Sequence, residues 1–208
     1  MRALVSRIAT LLIVAGTGVG CGGSGSGTGP GGSVLTTFEV TPATAALFTV
    51  APGNVVALSV VAKDQDDRPI GSGATGFSSD NDAIATVSNT GTITALTAGT
   101  AHITASLTAG SVTKTATTAV TSLVAPANAG VSAPALAFSP ANVDVRAGGA
   151  VSWSIGSITH DITFSTPNSP VNIPALQDGL ATRTFTTNGT FRYRCSIHAQ
   201  MTGVVYVH

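Results

Sequence analysis

Cys195, His198 and Met201 recur at three-residue intervals in one stretch, Cys195-Ser196-Ile197-His198-Ala199-Gln200-Met201, and His160 opens an apolar run upstream. Together they offer two imidazole nitrogens, one soft anionic sulfur and one weak neutral sulfur. That donor set selects copper held by two histidines and a cysteine with a weak axial methionine. Thiolate and thioether suit Cu(I), whereas zinc takes harder or more symmetrical sets. Taken singly, each residue has a plainer reading: Cys195 as a buried inert thiol, His160 or His198 as a surface histidine, Met201 as core filler. Taken jointly, in this order and spacing, they read as one type 1 copper site. Four protein donors leave no position open for substrate, so the chemistry implied is outer-sphere transfer of single electrons rather than catalysis. Of the 4 histidines, His102 and His208 remain, too few for the further copper clusters that copper oxidases need. His102 reads as a solvent-facing or structurally satisfied side chain, and His208 as a frayed end without a role.

Such donors need a stiff frame, and the composition points to a β one. The chain has 208 residues, 43% hydrophobic and only 9% charged, with 24 glycines and 10 prolines. That balance favours packed structure over disorder, and the absence of any long helix-period stretch favours an all-β chain with many turns. Two small β-sandwiches are expected, over residues 34–122 and 135–208, joined by a linker over 123–134. In the first, strands are expected at 35–40, 55–63, 83–87, 92–96, 101–107 and 112–120. In the second they are expected at 135–138, 142–145, 150–155, 160–165, 181–186, 190–195 and 203–207. Period two along Phe191-Arg192-Tyr193-Arg194-Cys195 turns Phe191, Tyr193 and Cys195 inward and the two arginines outward. Cys195 therefore arrives at a strand end pointing into the sandwich, and the loop after it can aim its other donors at one point.

Two resemblances carry these readings further. Asp80-Asn81-Asp82-Ala83-Ile84-Ala85-Thr86-Val87, Gly91-Thr92-Ile93-Thr94-Ala95 and Gly99-Thr100-Ala101-His102-Ile103-Thr104-Ala105 resemble the bacterial immunoglobulin-like group 2 domain, with Phe77 where that family more often has Trp. The resemblance implies a spacer or adhesive module. Residues 189–205, with Val151-Ser152-Trp153 and His160-Asp161-Ile162-Thr163-Phe164 upstream, are similar to the cupredoxins, the plastocyanin, amicyanin and azurin family. That similarity implies a Greek-key sandwich, with His160, Cys195 and His198 as equatorial copper ligands and Met201 as the axial one. Ile197 replaces a proline common before the second ligand histidine, and Asp161 replaces an asparagine common after the first. In the family that asparagine braces the ligand loop, and Ser196 is placed to donate to Asp161 instead. A negative charge there favours Cu(II) and lowers the potential.

The start of the chain reads as an export signal over residues 1–20: Arg2 and Arg7 precede an apolar run too short to span a bilayer. Gly18-Val19-Gly20-Cys21 resembles the lipobox of bacterial lipoproteins, which implies lipidation of Cys21; the alternative is an ordinary secretory signal cut before an unmodified cysteine. Residues 21–33 form a Gly/Ser-rich tether with a reach of roughly 20 Å. The sequence has 2 cysteines, so a lipidated Cys21 leaves Cys195 without a disulfide partner, as a ligand requires. Lys plus Arg equals Asp plus Glu at 9 each, and loss of Arg2 and Arg7 leaves seven bases against nine acids. No basic stripe is available for nucleic acid, and long-range steering is weak. The expectation is an exported, membrane-anchored, monomeric blue copper protein, periplasmic or at the cell surface, that exchanges electrons with redox partner proteins. A copper buffer without redox cycling and a surface adhesion module are the alternatives.

Overall fold

A computed structural model describes residues 32–71 and 75–208. The leader, Cys21 and nearly all of the tether lie outside the described residues. No helix occurs among the described residues, and none is long and apolar enough to cross a membrane.

The first unit contains β1 (Thr37–Thr41), β2 (Thr44–Phe48), β3 (Val55–Ala57), β4 (Ser59–Lys63), β5 (Gly76–Ser79), β6 (Ala85–Val87), β7 (Thr92–Ala95), β8 (Gly99–Ala109) and β9 (Val112–Leu123). They form one sheet in the order β2-β9-β8-β5, a second in the order β3-β7-β6 and a pair β1-β4. The long β8–β9 hairpin is the spine. It turns at Gly110 (φ 62), a backbone state open to glycine without strain, and buries Ala101, Ile103, Ala105 and Leu107 in alternation. The strand expected over 55–63 is two strands in different sheets. Buried Leu58 donates its N–H to the Gly91 carbonyl at 2.8 Å, which ends pairing with β7 and lets the chain cross to β1. β2 and β5 were not expected, because alanine-rich Thr44–Phe48 and serine-rich Gly76–Ser79 carry little β-branched or aromatic signal.

The second unit contains β10 (Asn128–Ala135), β11 (Ala137–Ser139), β12 (Asn142–Val145), β13 (Gly149–Ile155), β14 (His160–Phe164), β15 (Ile173–Leu176), β16 (Gly179–Phe185), β17 (Gly189–Arg194) and β18 (Thr202–Val207). One sheet runs β11-β10-β13-β16 and the other β12-β18-β17-β14-β15. Inward residues of both sheets, Trp153, Ile162, Phe185, Tyr193 and Val205 among them, meet in one core. Each large apolar side chain buried there contributes about 1.5–3 kcal/mol. The linker expected over 123–134 is mostly strand: β9 runs to Leu123, and β10 pairs in parallel with β13 from Asn128↔Ala150 onward. Its Pro, Asn and Gly residues read as a connection, but β11 pairs with β10 only at Ser132 and Ala135, with a register shift between them, so Asn128, Gly130 and Pro134 are tolerated along that otherwise unpaired side. β15 was also not expected, since its Ile-Pro-Ala-Leu is short and pairs only irregularly at the sheet edge.

Candidate metal centre

The centre is built where three chain segments meet at one end of the second sandwich. β17 alternates buried and exposed residues up to Arg194 and delivers Cys195 fully buried, 0% exposed, as period two requires. Beyond it the chain loops and returns as β18. Cys195 N–H donates to the Met201 carbonyl at 3.0 Å, continuing the β17–β18 pairing across the loop's neck. Met201 N–H donates to the His198 carbonyl at 2.9 Å, a tight turn that folds His198 back over Cys195. His160, 0% exposed, begins β14, the strand beside β17.

These segments bring three donors together. His160 Nδ1 and His198 Nδ1 lie 3.1 Å apart, and Cys195 Sγ lies 3.8 Å from the first and 3.6 Å from the second. All three ligand atoms fall within 4.8 Å of one another. Donors bonded to a single ion at about 2.0–2.3 Å sit some 3–4 Å apart, so the triangle fits one ion, and its two nitrogens and one sulfur suit a soft or borderline cation. Met201 is buried in the same core cluster as Cys195.

The charges around the donors favour metal binding. Burial, and after it the neighbouring His198, push the His160 pKa below the usual histidine value; the Ala135 carbonyl and Asp161 pull the other way without reversing the shift. His160 is thus held neutral, with a lone pair to give. Burial alone raises Asp161, but hydrogen bonds from the Ser196 hydroxyl and backbone N–H, with smaller help from Cys195 and Thr163, bring its carboxyl net below the usual range. Ser196 N–H donates to Asp161 Oδ1 at 2.6 Å, the Ser196 hydroxyl donates to Oδ2, and Thr163 Oγ1 reaches Oδ2 at 3.3 Å. The expected Asp161–Ser196 brace is therefore present. Thr163 joins it as a third member, and its position two residues along β14, on the same face as Asp161, was the available signal.

His102 is solvent-facing, as expected, with Nδ1 at 2.9 Å from Asp80 Oδ2. His208 corrects the sequence reading: it is not frayed but buried. Its Nε2 lies 3.0 Å from Asp144 Oδ1 and its ring centroid 3.8 Å from that of Phe48. β18 carries it into that niche, and a lone terminal histidine gives no sequence signal for such a seat. Around His198, Ile197, Ala199 and Gln200 are exposed, whereas Met201 faces inward.

Residues 34–120, which span most of the first unit, match the family model of the bacterial Ig-like domain (group 2). No curated protein matches the chain. Among solved structures the chain is similar to a purple cupredoxin from Nitrosopumilus maritimus, at 26% identity over 38% of this chain and 99% of that one, with a TM-score of 0.35. A reduced amicyanin variant gives 23% identity over 39% of this chain and 82% of that one, with a TM-score of 0.36. A Cu-containing nitrite reductase from Thermus scotoductus gives 23% identity over 41% of this chain but only 23% of that one, with a TM-score of 0.35.

Proposed function

We propose that the second unit is a blue copper module that carries single electrons, in which His160 Nδ1, Cys195 Sγ and His198 Nδ1 would hold one copper with the Met201 thioether as a further donor. The observation that carries this reading is the convergence of two imidazole nitrogens and one thiol sulfur, separated by 3.1–3.8 Å, in a largely buried position. When bound, copper supplies the one-electron Cu(I)/Cu(II) couple. The chain's own residues supply the stiffness. Cys195 is fixed by its strand and by the Met201 carbonyl, and His160 by burial at the start of β14. His198, half-buried in the loop, is the donor nearest solvent and the natural point of electron exit, framed by exposed Ile197, Ala199 and Gln200.

Two imidazoles, a thiol and a thioether, all supplied by the chain, would satisfy one copper without a substrate ligand, which supports an electron carrier over an enzyme. Export, lipidation at Cys21 and anchoring through the tether belong to the same reading, with the first unit as spacer and redox proteins as partners. The test is the visible spectrum of the full chain titrated with Cu(II). A strong thiolate-to-copper band that bleaches reversibly on reduction and vanishes in Cys195→Ser is expected. A colourless titration overturns the reading, and a band that cannot be cycled turns it into copper storage.

A further inference from the structure

On the outer face of the β12-β18-β17-β14 sheet a groove of about 380 Å³ opens, lined among others by Asn142, Ser165, Arg192, Arg194 and Thr202. Both arginines leave β17 on its exposed side, two residues apart, so both guanidinium groups stand over the same face. No carboxylate lines the groove, and among the described residues neither arginine takes part in an ion pair. The nearest acid along β14, Asp161, is already engaged by Ser196 and Thr163. The backbone beneath is fixed: Arg192 N–H donates to Thr166 Oγ1 at 2.9 Å, and Ser165 N–H donates to the Arg192 carbonyl at 3.1 Å. Arg183, by contrast, spends its guanidinium on the Val171, Asn172 and Thr182 carbonyls, which shows how this unit satisfies an arginine when it is structural. Two cations side by side over a polar groove that no carboxylate lines form a receptor for paired carboxylates.

We propose that this groove is a docking surface for an acidic partner protein, whose Asp or Glu side chains pair with Arg192 and Arg194. Arg194 precedes Cys195 in the chain, so a partner seated there lies one residue from the thiol. The docking itself does not depend on copper; only its service to electron exchange rests on the reading above.

The probe is fluorescent poly-L-glutamate added to the full chain without metal, read by anisotropy at low ionic strength. Saturable binding is expected that weakens steeply with salt and falls at least tenfold in Arg192→Gln/Arg194→Gln. The comparison variant Arg68→Gln/Lys114→Gln removes the same charge from the first unit and is expected to bind as the parent does. Equal loss in both variants, or no binding by the parent, overturns the proposal, since net charge or nothing is then at work. Tighter binding of inorganic polyphosphate than of polyglutamate, lost in the same β17 variant, also overturns it in favour of a phosphate-bearing ligand. If the β17 variant loses polyglutamate while the copper titration stays colourless, the docking surface stands and the electron-carrier reading alone falls.

Discussion

Asp161 holds Ser196 by two groups at once, one carboxylate oxygen accepting the backbone N–H at 2.6 Å and the other accepting the hydroxyl. Asp161 follows His160 in β14, and Ser196 follows Cys195 at the end of β17, so this clamp ties together the two segments that carry these proposed donors. Asp161→Ala removes both acceptors and is expected to weaken copper binding about 10–100-fold, measured by competition with a chelator. Asp161→Asn keeps one acceptor, removes the charge and is expected to raise the midpoint potential. An unchanged potential across neutral pH defeats the electrostatic part of this account.

On the proposed reading, copper binding is linked to folding through Cys195. Because the donors converge only in the folded chain, an ion at a hundred times its dissociation constant adds about 2.7 kcal/mol of stability. Thermal unfolding of the parent should shift upward with added copper, and that of Cys195→Ser should not. Parallel shifts in the two proteins would place the ion elsewhere.

Tyr193 leans over Gly203, its cross-strand partner, and its hydroxyl donates to the Ala141 carbonyl at 3.0 Å. A methyl group at residue 203 runs into the Tyr193 ring and the Ala141 carbonyl. Gly203→Ala is therefore expected to cost about 1–3 kcal/mol in denaturant unfolding, the range for overfilling a packed core. A loss below roughly 0.5 kcal/mol, the scatter of neutral surface changes, counts against this packing.

The same tyrosine sets an alkaline limit. Burial raises Tyr193 from 10.0 to about 12. The folded state thus keeps the phenol neutral while the unfolded chain ionises, and the associated stability is complete below pH 10.0 and drains away as pH climbs toward about 12. Tyr193→Phe should flatten that alkaline limb of the unfolding free energy. An identical slope in the variant assigns the limb to other groups.

At the acid end, the His102 backbone N–H (2.7 Å) and, after it, the His102 ring hold the Asp80 carboxyl below its ordinary 3.8. Its contribution is present above pH 3.8 and is lost as pH falls through the lower folded value. The pair is exposed, so the effect is small and salt-sensitive. Asp80→Asn should remove part of the acid limb of the unfolding curve, and the difference should shrink in high salt.

Much of the centre was legible because donors and strands follow short-range rules. The alternation along β17 fixed which way Cys195 points, and the spacing to His198 and Met201 lay within one loop. His160 was legible only through its strand context and the resemblance that spans it, because its pairing with the loop is a sheet-level contact between residues 38 positions apart. The seat of His208 on Asp144 and Phe48 depends on partners 64 and 160 positions away, which no local pattern encodes. The break at Leu58 is a similar case: 55–63 reads as one strand, and only the Gly91 carbonyl offered to Leu58 shows where it changes sheets. The arginine groove combines both kinds of information, the direction of each side chain from period two and the cleft itself from the way neighbouring strands sit.

The backbone bridge from Cys195 to Met201 closes the loop with no help from the side chains between them. Of the positions it encloses, Ile197, Ala199 and Gln200, which belong neither to the Asp161–Ser196 clamp nor to the donor triangle, can therefore change while the framework keeps its register, much as a lens can be exchanged on a fixed mount. Substitutions at these three positions then alter the surroundings of the proposed copper site and leave the sandwich itself untouched, so that tuning and folding can evolve along separate lines.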